Sequence, residues 1–238
     1  MKIKLLLIFL LVSVISFKTF ADDIKEEGTY LNLSATEMIQ VEQDLLIANL
    51  RYEVDSDTSS NTQNKINQVM KKALEVANTV KNIEVSTEQY SVYQFRQTDE
   101  KGQNGKDIWR GSQSITLKSK VADDTLALVG QLQEMGLVMS DMHYEVSPEK
   151  NEEIRIGLME NAINKLLVRA KKIAGIIGAK EIKVKTLNID GDNSYNPSPY
   201  PKMMMRSNGG AESMAVPVSA PGKAYINFNV SATVLLKD

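Results

Sequence analysis

Met203, Met204, Met205 and Met214 lie in or just beyond SPYPKMMMRSNGG, which runs from Ser198 to Gly210. Thioethers suit a soft ion such as Cu(I). They also oxidise reversibly, which suits a protein that meets oxidants. A third use is adhesive, because methionine is an adaptable apolar contact at binding surfaces. The stretch contains no histidine to complete a copper site. The first expectation is therefore contact with another subunit or a partner through Met203, Met204, Met205 and Tyr200. An inert loop comes second. Copper or oxidant chemistry at the four methionines comes third.

His143 is the only histidine. On a strand it shares a face with Asp141 and Glu145, a mixed imidazole and carboxylate set that could hold a divalent ion. Three ligands on one straight strand span about 13 Å at about 3.3 Å per residue, too far to converge on one ion. A solvated polar face is the expected reading, with Met142, Tyr144 and Val146 turned inward. Nucleophilic chemistry lacks support. The chain has no cysteine, and Ser112 after Gly111 lacks the nucleophile-elbow pattern. Gly175 and Gly178 end a helix instead of opening one, so they make no phosphate cradle. Lys118, Lys120, Lys183 and Lys185 read as charges on strands that discourage edge pairing. No catalytic residue and no cofactor is expected.

Periodicity predicts the elements that position these side chains. Leu31 to Val54 reads as a strand pair, with Leu46, Ala48, Leu50, Tyr52 and Val54 on one face. Ser56-Asp57-Thr58 offers N-cap chemistry for a helix to about Lys81. Thr87 to Gln97 and Trp109 to Lys120 alternate around a polar turn, as a hairpin does. Asp123-Asp124 opens a shorter helix that Gly136 ends, and Leu137 to Ser147 is the next strand. Pro148 breaks the chain. A helix follows from about Asn151 to Ile177, striped by Leu158, Ala162, Leu166 and Ala170 and capped by Gly178. Ile182 to Ile189 is a strand. Gly191 to Gly222 has no periodicity. Ala224 to Lys237 is the cleanest alternation in the sequence.

This order predicts an α+β fold: two layered α/β subdomains with mostly antiparallel sheets. The middle one, about 108–190, reads as a split-βαβ, ferredoxin-like unit inserted into the first, about 27–98 plus 222–238. The last strand has no local partner and is expected to return to the first sheet. A Pro/Met-rich loop, 191–221, precedes it.

The N-terminus predicts the compartment. Lys2 and Lys4 precede an apolar run from Leu5 to Phe17, and Ala21 offers a small residue before Asp22-Asp23. That is the pattern of a cleavable secretory signal over 1–21. At about 13 residues the run falls short of the roughly 20 a membrane span needs. The segment holds three lysines and no acid, so its removal takes the formal net charge from −2 to about −5. An acidic surface argues against nucleic acid as a partner. With no cysteine there is no disulfide, so the part of the chain after the signal, just over 210 residues, must be held by its core.

Four stretches in order resemble the SIMPL-domain family. They are LNLSATEMIQVEQDLLIANL, with Val41 to Asp44 in place of a valine-x-proline-aspartate turn, then IWRGSQSITLKSK, LMENAINKLLVRAKKIAGIIGAK, and the Pro/Met-rich loop closing on PGKAYINFNVSATVLL. Gln43 stands where the family has proline, and Asn164 and Leu167 where it often has alanine. The resemblance covers nearly the whole of 22–238. It implies a two-part α/β fold and a secreted location. It also implies that some members form large ring-like oligomers and that some bacterial members are linked to oxidative or other envelope stress. It implies no enzymatic activity.

The expectation is thus a periplasmic, non-enzymatic protein that self-assembles, contacts outer-membrane or other envelope proteins and serves stress tolerance. The alternative is a periplasmic binding module for copper or a small apolar ligand, using the Met-rich loop. A hydrolase, supported only by serine and aspartate abundance, is the third class.

Overall fold

The computed structural model describes residues 26–98, 105–189 and 218–238. Seven strands and three helices follow one another as β1 (Thr29–Glu42), β2 (Leu45–Ser56), α1 (Ser59–Ala77), β3 (Glu84–Gln97), β4 (Lys106–Ser119), α2 (Ala122–Glu134), β5 (Val138–Glu145), α3 (Pro148–Ile177), β6 (Glu181–Ile189) and β7 (Lys223–Lys237). They form two antiparallel sheets, ordered β1-β7-β6 and β3-β4-β2-β5. The expected α+β architecture holds.

The two units have different bounds from those the sequence suggests. The inserted unit runs from β2 to β5 as β-α-β-β-α-β, and its sheet order places the first and third of its strands at the centre. That is the ferredoxin-like arrangement, found at 45–145 and not at 108–190. The outer unit consists of β1, α3, β6 and β7. β1 and β2 are not a hairpin: β1 pairs with β7 from Thr29↔Leu236 to Glu42↔Lys223. Period-two alternation says which face a residue takes but not which strand lies beside it. β2 buries Leu46, Ile47 and Ala48 in succession, so both its faces are covered near its start. Such a strand belongs inside a sheet, and β2 lies between β4 and β5. As expected, β7 returns to the first strand.

Each unit has its own core. α1 and α2 cover one face of the four-stranded sheet around Ala48, Leu50, Ile66, Ile115, Leu117 and Leu128. α3 covers the three-stranded sheet with Leu158, Ala162, Leu166, Ala170 and Ala174 against Ile226, Phe228, Val230 and Val234. These helix positions recur every four residues, and three of the five are alanine, which lets the helix lie close to the sheet. Pro148 opens α3 instead of breaking the chain. It stands in the first turn, with the N-cap Ser147 accepting from Lys150 N, where proline's missing N–H costs nothing. At the other end Gly178 takes φ 80° as the expected left-handed cap.

Gly111 owes its place to packing. A Cβ there would lie 2.5 Å from Ile66 Cδ1 and 2.6 Å from Thr62 Cγ2, both on α1. Gly111→Val is expected to destabilise the chain by about 2 kcal/mol through overpacking, read as a lower urea midpoint with an unchanged slope.

The edge strand β1 is capped from above. Lys150 Nζ donates to Glu42 O at 2.7 Å, Arg169 to Ser34 O at 2.8 Å and Lys165 Nζ to Thr36 O at 3.3 Å. Cations from α3 thus occupy carbonyls that would otherwise invite another strand.

Candidate functional site

Met203, Met204, Met205, Met214 and Tyr200 lie outside the described residues, as do the expected signal 1–21 and nearly all of the loop 191–221. The other singled-out residues have defined surroundings. His143 sits on the edge strand β5, facing away from the helices. Its Nδ1 is 2.7 Å from Asp141 Oδ2 and its Nε2 is 3.2 Å from Glu145 Oε1. The expected shared face is real, and the imidazole bridges the two carboxylates. Each ring nitrogen faces a carboxylate. Among the described residues no group of three His, Cys, Asp or Glu side chains is arranged to hold a metal. Met142 and Tyr144, its neighbours along the strand, turn inward as expected, with Tyr144 buried.

The lysines are less solvated than their alternation suggests. Lys183, Lys185 and Lys237 converge on Glu26. Their hydrogen bonds, with Lys185 contributing most and then Lys237 and Lys183, lower the Glu26 pKa to about 2. Lys120 bonds Glu149 at 3.0 Å and lies 3.8 Å from Asp44. With Lys118, Glu84, Leu45 and Pro148 it borders a cleft of about 460 Å³ between the two units.

That cleft adjoins the two segments that join the units. Asp44 accepts from both the backbone N–H and the hydroxyl of Ser147, each at 2.8 Å. Asp44 N donates to Glu145 O at 2.9 Å, and the buried Gln43 amide donates to Tyr144 O at 2.6 Å. Gln43 N donates to Gly222 O at 3.0 Å. The segment from Val41 to Asp44, which resembles a hairpin turn in sequence, is therefore a crossover whose backbone groups bond to β5, α3 and the approach to β7. The lock pairs residues about a hundred positions apart, and no local pattern marks it.

The feature with most bearing on function was missed by the sequence reading: an apolar strip that α3 leaves bare. α3 lies over β7 and β1 and barely over β6. Val184, Leu187 and Ile189 share the core side of β6, opposite Val234, Ala232 and Val230, yet remain 41–44% exposed. On α3, Lys165 and Arg169 face β1. By 3.6-residue geometry Ile156, Ile163 and Leu167 lie on the opposite flank, toward β6. Ile156 is exposed, and Ile163 and Leu167 are half-buried. The signal available in the sequence was the run Ile182, Val184, Leu187 and Ile189. It identifies an apolar face but not whether a helix reaches it.

No helix among the described residues is long and apolar enough to cross a membrane. No curated protein matches the chain. Residues 31–234 match the model of the SIMPL family, described as protein of unknown function (DUF541). That match spans β1 through most of β7 and takes in both units and the crossovers between them, so the chain belongs to the SIMPL family.

Proposed function

We propose that this SIMPL protein is a non-enzymatic protein of the periplasm that assembles with copies of itself and contributes to envelope or oxidative stress tolerance. The bare apolar strip on β6 and α3 is the observation that carries self-assembly. One edge of the outer sheet, β1, is blocked by Lys150, Lys165 and Arg169. The other edge, β6, pairs only with β7 among the described residues. In its first half Lys183 and Lys185 are tied to Glu26, and its second half carries Leu187 and Ile189. An open edge beside an apolar face is self-complementary about a two-fold axis, so a second copy satisfies both at once. The secretory pattern at 1–21 supports the compartment, and the resemblance supports the stress role.

The test is the solution mass of the chain from Asp22 onward, by light scattering during size exclusion. A discrete multiple of the chain mass is expected. A monomer at every concentration would overturn the assembly reading.

A further inference from the structure

We infer that the cleft between the two units binds a free α-amino acid with an apolar side chain. The cleft measures about 460 Å³, within the range of about 300–1,000 Å³ typical of small-ligand sites. It lies on the face of the four-stranded sheet turned away from α1 and α2. Leu117 belongs to the core beneath those helices, so its neighbour Lys118 takes the opposite face. Glu84 lies directly across from Lys118 in the β3-β4 ladder. The start of α3, at Pro148 and Glu149, borders the other side. Each unit thus supplies one wall, and such junctions are common places for ligand sites.

The charged groups lining the cleft divide into a closed pair and an open one. Lys120 Nζ donates to Glu149 Oε2 at 3.0 Å. Lys118 and Glu84 are cross-strand neighbours, with Cβ atoms about 5 Å apart in such a pair. Yet neither side chain makes an ion pair or a hydrogen bond among the described residues. Lys118 is half-buried, where a charge-assisted hydrogen bond is stronger than in open water. One ammonium and one carboxylate therefore stand side by side with their bonding capacity unused.

An amino acid answers both at once. Its carboxylate accepts from Lys118 Nζ, and its ammonium donates to Glu84. The two groups hang from one carbon, so they suit opposite charges on adjacent strands. The lining carries two lysines and two glutamates. A ligand with no net charge matches that balance, whereas a simple anion or cation satisfies only one member of the open pair. Leu45 and Ile83, both half-buried, and Pro148 give the ligand's side chain an apolar surface. The wall is also fixed in advance. Buried Ser119 donates to Asn82 O at 2.7 Å and accepts from Val121 N at 3.0 Å. These bonds hold the turn at Asn82, with φ 64°, against the end of β4. A site already ordered before the ligand arrives costs less to occupy.

The experiment is equilibrium dialysis of the chain from Asp22 onward against tritiated L-leucine and L-phenylalanine. Isocaproate and isoamylamine serve as competitors, since they keep the leucine side chain and lack the ammonium or the carboxylate. Saturable binding of at least one amino acid is expected. Each competitor should be about tenfold weaker or more, because each forgoes one hydrogen bond between charged groups. Lys118→Met and Glu84→Gln should each weaken the same binding by about that factor. Neither side chain has a partner in the fold among the described residues, so thermal unfolding of both variants should match the parent's and separate lost binding from misfolding. No saturable binding of either amino acid, or binding that both variants keep, would overturn the inference. Competition by isocaproate as strong as by leucine would overturn it too, since Lys118 would then hold a simple carboxylate. No residue of β6 lines the cleft, so assembly through β6 stands or falls separately.

Discussion

Asp44→Ala is expected to destabilise the protein by about 3 kcal/mol, the largest effect foreseen for any single polar side chain here. Its carboxylate accepts two hydrogen bonds from Ser147, which is fully buried. Removing the acceptor strands a backbone N–H and a hydroxyl together, and each orphaned buried group costs about 1–3 kcal/mol. It also unfastens the N-cap of α3, since Ser147 Oγ in turn accepts from Lys150 N. The Lys120 contact adds little, because that lysine is half-exposed. The same site gives a pH dependence. Burial raises the Asp44 pKa, but the two Ser147 hydrogen bonds and the charges of Lys150 and Lys120 together hold it below the usual 3.8. A carboxyl whose folded pKa is depressed contributes stability above its unfolded pKa and loses it as pH falls through the folded value. Urea midpoints should therefore fall as pH is lowered from about 5 toward 2. Asp44→Asn should flatten that fall without abolishing it, since Glu26, held to about 2 by three lysines, titrates in the same acid range. An Asp44→Ala midpoint equal to the parent's at pH 7 would mean the lock is not a source of stability.

The lock also shows why part of the fold escapes a reading of the sequence. The stripe of α3, its Gly178 cap and the alternation of β7 are local patterns, and each is present in the structure. The partner of β1 is not local. Val41-Glu42-Gln43-Asp44 has the composition of a turn, and only Gln43 N on Gly222 O and Asp44 N on Glu145 O reveal a crossover between units. Misplacing that crossover shifts the whole inserted unit, from 45–145 to 108–190. Pro148 misleads for a related reason: proline ends a helix from inside and begins one from the first turn, and Ser147 decides which. His143 and its two carboxylates were legible as a shared face. That both carboxylates would close on one ring depends on rotamers that spacing does not specify.

Coverage is likewise a tertiary property, and the second large prediction rests on it. Replacing Leu187 and Ile189 together by lysine is expected to convert the particle proposed above to a single chain in light scattering. Thermal unfolding of the chain itself should stay nearly unchanged. Both side chains are more than two-fifths exposed, so the chain loses little core when they change, and exposed substitutions away from special features usually stay within about 0.5 kcal/mol. An assembly would lose far more. Two ammonium groups on the core side of β6 would be buried against a second copy without partners, and lysine on an open edge is itself a barrier to strand pairing. The complementary variant acts on the other edge. Lys165→Ala with Arg169→Ala uncovers the carbonyls of Thr36 and Ser34 and should produce larger, polydisperse species, since β1 then becomes a second site for strand addition. If the lysine pair leaves the particle intact, β6 is not the contact. Replacing Met203, Met204 and Met205 by serine then decides whether subunits join through the methionine stretch, and dispersal of the particle by that change would move the interface from the sheet edge to the loop.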